Sequence, residues 1–202
     1  MIEKVREIFK READAIQNIP VTPNFEAAIG IIYKHVHGKN GKLVTSGMGK
    51  AGQIAHNIAT TFSSTGTPSI FLHPSEAQHG DLGILQKNDV LLAISNSGKT
   101  REIIELIDLK NNLYPQVPVI VITGNENSPL ATKADCYILT GAPAEVCTLG
   151  LTPTTSTTMM TVIGDALVVL MMGKIGFSAK DYAKRHHGGY LGMKSREISG
   201  KE

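Results

Sequence analysis

The chain has 202 residues, 42% of them hydrophobic and 19% charged, which suits one globular domain with a full core. Its net charge of +2, with no Lys/Arg block, leaves no nucleic-acid footprint. The start, MIEKVREIFKRE, is charged throughout and does not read as a secretory signal. Cys136 and Cys147 are too few for a disulfide framework and lack metal-site spacing, so reduced thiols and a cytoplasmic location are expected.

Two helices are expected over 3–18 and 22–36, separated by Pro20 and Pro23. Strands and helices then alternate. Strands are expected at 42–46, 68–72, 89–95, 117–123 and 135–140. Helices are expected at 50–63, 100–112, 128–134, 154–175 and 178–185, with a short helical or irregular piece at 75–82. The longest apolar stretch, 159–177, carries Asp165, Lys174 and several glycines. A membrane span tolerates those poorly, so the stretch reads as a core helix in which Asp165 is buried and hydrogen-bonded. The strands, such as VLLAIS and VPVIVIT, are nearly continuous apolar runs. Strands covered on both faces look like this, so an α/β fold is expected: a three-layer αβα sandwich around a parallel sheet. No internal repeat or low-complexity tract interrupts the pattern.

Such a sheet binds ligands beyond the carboxyl ends of its strands. Ser46-Gly47-Met48-Gly49-Lys50 follows the first strand, His73, Glu76 and His79 the second, Ser95 to Thr100 the third and Glu145 the fifth. The most informative stretch is VLLAISNSGKTREIIE (90–105), where Ser95, Ser97 and Thr100 surround Gly98 at a strand-to-helix turn. A helix start offers unpaired N–H donors and a favourable dipole for an anion, so this turn suits a phosphate monoester. The alternative is that Ser97 or Thr100 merely caps the helix, which would need one hydroxyl rather than three.

Gly47-Met48-Gly49-Lys50-Ala51-Gly52 matches G-x-G-x-x-G, but the second strand ends Phe71-Leu72-His73 without the carboxylate a dinucleotide site uses. The P-loop spacing is also missing. The glycines then serve close approach to a small phosphorylated ligand, with Lys50 turned into the crevice because a helix start repels a cation. Glu102 is either a helix-start carboxylate or a chemical group. Glu145 has no adjacent helix start to explain it, and a surface carboxylate is the other reading. His79 is a metal ligand, a substrate contact or a loop hydrogen-bonder. His186 and His187 are adjacent, and consecutive histidines rarely share an ion. The hydroxyl run from Thr152 to Thr158 reads as a helix cap with β-branched packing.

Six segments together resemble the sugar isomerase (SIS) domain and, within it, the arabinose-5-phosphate isomerases. They are GMGKAG (47–52), TFSSTGTPSIFLHPSEAQHGDLG (61–83), ISNSGKTREI (94–103), AEVCTLGLTPTTSTT (144–158), GDAL (164–167) and HHGGYLG (186–192). The resemblance implies a single domain with N-terminal helices (1–38), a flavodoxin-like core of five parallel strands (39–192) and a tail (193–202). It places the catalytic roles of an aldose–ketose isomerase on Lys50, Glu102, Glu145 and His186: Glu145 or Glu102 as the base that carries the proton, Lys50 at the enediolate and His186, with His79, at ring opening. Substrate contacts fall on Ser46, Ser75, Glu76, His79, Ser95, Ser97 and Thr100, and an inhibitory zinc on His79.

The implied activity interconverts D-ribulose 5-phosphate and D-arabinose 5-phosphate through an enediol, supplying the eight-carbon acid Kdo for lipopolysaccharide or capsule. No cofactor, nucleic acid or membrane partner is expected. A homotetramer with shared active sites is. Lys99 stands where the family has an acidic residue, and His186-His187-Gly188-Gly189 replaces His-Pro-Gly-Gly. A form lacking the CBS modules common in the family is expected, with feedback by the nucleotide sugar CMP-Kdo acting at the isomerase crevice. A non-catalytic phosphosugar sensor and an isomerase of another phosphosugar are the alternatives.

Overall fold

The computed structural model describes residues 1–200; the end of the expected tail, 201–202, lies outside the described residues. Five strands form one parallel sheet: β1 (Leu43–Gly47), β2 (Ser69–Phe71), β3 (Val90–Ile94), β4 (Val119–Thr123) and β5 (Cys136–Leu139). Their order is β2-β1-β3-β4-β5. Each expected strand is present: β1 is shifted by one residue and runs through Gly47, and β2 to β5 are shorter at one or both ends.

Side-chain alternation explains the unbroken apolar runs. Val90, Leu92 and Ile94 of β3 pack into one cluster, and Leu91 and Ala93 into the other. The first cluster is closed by α2 (Asn24–Ile32), α3 (Gly49–Ser64) and α7 (Thr155–Ile175). The second is closed by α4 (Pro74–Ala77), α5 (Arg101–Leu113) and α6 (Pro129–Lys133). The result is the expected three-layer sandwich.

Three features depart from the expectations. The helix expected to 36 gives way at Tyr33–His37 to a wider π-type turn, which keeps Val36 in the core. Asp165 is exposed, because Met159, Ile163, Leu167 and Met171 define the buried stripe of α7 and Asp165 lies opposite it, one turn before the exposed Val169. The expected tail begins inside a helix: α8 (Ala179–Arg185) is followed by α9 (Gly189–Ser199), which folds back on α8 and buries Ser195. The glycines of HHGGYLG punctuate that turn rather than end the fold.

Among the described residues α7 is the one helix long and apolar enough to cross a membrane, and its apolar stripe is core. The N-terminal helix α1 (Ile2–Gln17) has no buried residue and rests on α7, with Val5, Ile8 and Phe9 exposed.

Candidate active site

The strand order reverses between β1 and β3, the place where an open parallel sheet forms a crevice. A cavity of about 520 Å³ opens there, lined among others by Lys50, Ser95, Ser97, Thr100, Glu145 and Ser156. Loops far apart in sequence therefore meet at one edge, as the strand-end argument requires.

The turn after β3 is built to leave donors open. Thr100 occupies the cap position of α5, but no side chain caps the helix. The Thr100 hydroxyl pairs instead with that of Ser95 at 2.7 Å, and Ser97 accepts from the Lys99 N–H at 3.2 Å. The first amides of α5 thus have no side-chain cap, and Thr100 at the helix start lines the crevice, which favours the anion-site reading over simple capping. Gly98 turns the chain at φ +63°, where a Cβ would run into the Ser128 side chain. Lys99 is exposed beside this turn.

On the β1 side, Gly47 and Gly52 bring strand and helix together: a Cβ on Gly52 would lie 2.6 Å from the Gly47 carbonyl oxygen. This contact sets Lys50 in the first turn of α3, exposed at the crevice wall. Ser46 does not reach the cavity. Its buried hydroxyl donates to the Leu72 carbonyl at 2.7 Å, so it ties β1 to the end of β2 rather than awaiting a phosphate.

Glu145 is held by the start of α7. One oxygen, Oε2, accepts from the Thr154 N–H at 2.7 Å, the Thr154 hydroxyl at 2.9 Å and the Ser156 N–H at 3.3 Å. The other, Oε1, accepts from the Ser156 hydroxyl. Burial pushes the carboxyl up, but the Ser156 and Thr154 donors outweigh it and hold Glu145 below the usual carboxylate range. A helix start therefore does explain this residue, from a segment nine positions downstream. Thr154 and Ser156, read from sequence as cap and packing, turn out to shape the crevice. Asn96 carries no signal in the sequence, yet it lines the cavity and accepts from Thr140 at 3.2 Å, joining the ends of β3 and β5.

The remaining expected residues lie beside or away from this cavity. Glu102 is half-buried in the first turn of α5. Ser75 points its hydroxyl at the Met48 sulfur, 3.9 Å away, while Glu76 is exposed on α4 and His79 in the turn that follows it. No group of three His, Cys, Asp or Glu residues able to hold a metal occurs among the described residues, so a zinc at His79 would need ligands from elsewhere. His186 follows α8, which the chain enters through Phe177, packed against Gly66 at the opposite end of α7 from Ser156. Its ring stacks on Tyr182 at 3.7 Å, and its Nδ1 lies 3.0 Å from the Tyr182 carbonyl oxygen. Because a carbonyl oxygen can only accept, Nδ1 is the donor in that contact, and Nε2 is the ring nitrogen outside it.

Residues 37–170 match the model of the SIS domain. Over 154 residues the chain is 51% identical to the arabinose 5-phosphate isomerase KdsD of Shigella flexneri, covering 76% of this chain and 46% of that protein. The chain thus spans about half the length of the curated relatives it matches. A crystal structure from Bacteroides fragilis, assigned as a phosphosugar isomerase involved in capsule formation, superposes with a TM-score of 0.93 at 66% identity, over 94% of this chain and 99% of that one. An Escherichia coli CFT073 protein in complex with arabinose 5-phosphate gives a TM-score of 0.82 at 36% identity, over 92% of this chain and 96% of that one.

Proposed function

Since the chain belongs to the SIS domain family and groups there with the arabinose 5-phosphate isomerases, we propose that it interconverts D-ribulose 5-phosphate and D-arabinose 5-phosphate through an enediol. The observation that carries this reading is the convergence of Lys50, the Ser95–Thr100 turn and Glu145 on one crevice at the strand-order reversal. The similarity to the structure linked with capsule formation supports a role in supplying Kdo.

In this proposal the phosphate sits on the open amides of α5 and the hydroxyls of Ser95, Ser97 and Thr100. Lys50 stabilises the oxyanion that develops as the enediolate forms. Of the two glutamates, Glu145 lines the crevice. Its Oε1 accepts one hydrogen bond against three on Oε2, so a lone pair remains there for the proton moved between C1 and C2. Glu102, beside the phosphate turn, is the runner-up.

Ring opening falls to His186 through Nε2. Because His186 lies away from the crevice of its own chain, we propose that a partner subunit supplies it within a homotetramer. The exposed apolar residues of α1 and α7, among them Phe9, Val169 and Leu170, fit such contacts. CMP-Kdo is the proposed feedback ligand of the same crevice and should compete with substrate.

Purified protein incubated with ribulose 5-phosphate in deuterated water should yield arabinose 5-phosphate labelled at C2. Binding without turnover would favour a sensor, and a different sugar product would reassign the substrate.

A further inference from the structure

We propose that Arg11 and Glu12 of α1 are positioning residues for Glu145, which makes the N-terminal helix part of the catalytic machinery. The consequence for turnover rests on the isomerase reading above; the consequence for the loop does not.

Arg11 Nη2 donates to the backbone carbonyl of Glu145 at 3.1 Å, bridging 134 positions of sequence. The neighbouring Glu12 accepts through Oε1 from the hydroxyl of Thr155 at 2.9 Å. That hydroxyl, on a residue 1% exposed, in turn accepts from the Val146 N–H at 3.1 Å. A hydroxyl has one proton, so giving it to Glu12 turns an oxygen lone pair toward Val146. The Glu12 carboxylate thereby fixes the backbone one residue beyond Glu145, while Arg11 fixes the carbonyl of Glu145 itself.

The side chain of Glu145 is held separately, by Thr154 and Ser156. Side chain and main chain of one residue are thus gripped from different elements, α7 for the first and α1 for the second. The arrangement carries a cost: Glu12 Oε2 is buried without a hydrogen-bond partner, a penalty an ordinary docking helix would avoid with an apolar residue. The Arg11–Glu12 pair therefore does more than anchor α1, whose own contacts with the domain run mainly to α7.

The test compares wild type with Glu12→Ala, Glu12→Gln, Thr155→Val and the double variant Glu12→Ala/Thr155→Val in the full chain. Steady-state kinetics with ribulose 5-phosphate are combined with hydrogen exchange of the Val146 amide. Glu12→Ala should lower kcat about tenfold with KM within about twofold, and speed exchange at Val146. Thr155→Val should do the same, and the double variant should be no worse than either single one, since both act through one hydrogen-bond chain. Glu12→Gln keeps an acceptor for the Thr155 hydroxyl and should recover most of kcat.

Unchanged kcat and unchanged Val146 exchange in Glu12→Ala would overturn the proposal, as would kcat and KM failing together with loss of folded protein. A wild type inactive on ribulose 5-phosphate would sink the isomerase reading instead. Val146 exchange would then decide the positioning claim alone: faster exchange in Glu12→Ala upholds it, unchanged exchange removes it.

Discussion

At the scale of single residues, Glu145 does two jobs. It caps α7 and it presents a carboxylate to the crevice. Its folded pKa lies below the 4.5 of a free glutamate, so its bonds stabilise the fold above that pH. The contribution is lost as acid protonates the folded carboxyl. Ser156→Ala removes the donor to Oε1 and should cost about 1.5–3 kcal/mol, the range for a hydrogen bond to a charged group. Chemical denaturation at a series of pH values should show that loss in full at pH 7 and a shrinking one as pH falls below 4.5 toward and through the folded value. Lys50→Met should lower kcat by roughly 10²–10³ with a small change in KM if the ammonium acts mainly on the developing oxyanion; an equal loss in ribulose 5-phosphate affinity would assign it to binding. Lys50 is legible in the sequence because a cation in a first helical turn needs a reason. The capping of Glu145 is not, because its partners are Thr154 and Ser156 across a loop. Ser46 looks like a ligand from its position alone, and only the course of β2 shows its hydroxyl consumed by Leu72.

At the scale of elements, the turn from β3 into α5 depends on Gly98. Gly98→Ala would place a side chain at φ +63° and into Ser128, so it should cost at least about 1–3 kcal/mol and displace the amides of α5. We expect a lower melting temperature and a KM for phosphosugar raised more than kcat is lowered. The strands and their helices are readable because burial on both faces leaves unbroken apolar runs in β3 and β4, bounded by polar turns. The end of α2 is not, because a π-type turn at Tyr33–His37 keeps the apolar period while changing the helix. Helix α9 escapes because Gly188 and Gly189 resemble a terminus, and its apolar residues Tyr190, Leu191 and Met193 are exposed rather than set in a core stripe.

Across the whole molecule, stability should fall in two separate pH steps. His35 and His37 are held below their ordinary pKa of 6.5 by burial, helped at His35 by the charge of Lys39. Between the folded and unfolded values the unfolded chain binds more protons, so stability is full above about 6.5 and declines as pH drops. The step at Glu145 comes later, below about 4.5. Urea midpoints at pH 7.5 and 5.5 should differ, and His35→Gln should shrink the difference. The proposed assembly has its own check: Phe9→Lys with Val169→Asp, at positions 68% and 65% exposed, should yield a folded species of lower mass on sizing with little isomerase activity. A fully active monomer would refute shared sites. Composition can indicate one domain, yet it cannot show that His186 stands at the far end of α7 from the crevice.

The uncapped start of α5 has a thermodynamic corollary. In the proposed reaction aldose and ketose carry the same terminal ester, so attraction at those amides is identical for both and cancels from their ratio. A catalyst leaves the free-solution balance of the two pentoses untouched, and the shared anchor means that the bound pair is not biased at that end either, so net flow depends on whichever later enzyme removes one of them. Inorganic phosphate should occupy the same spot and slow the forward and backward conversions to the same degree.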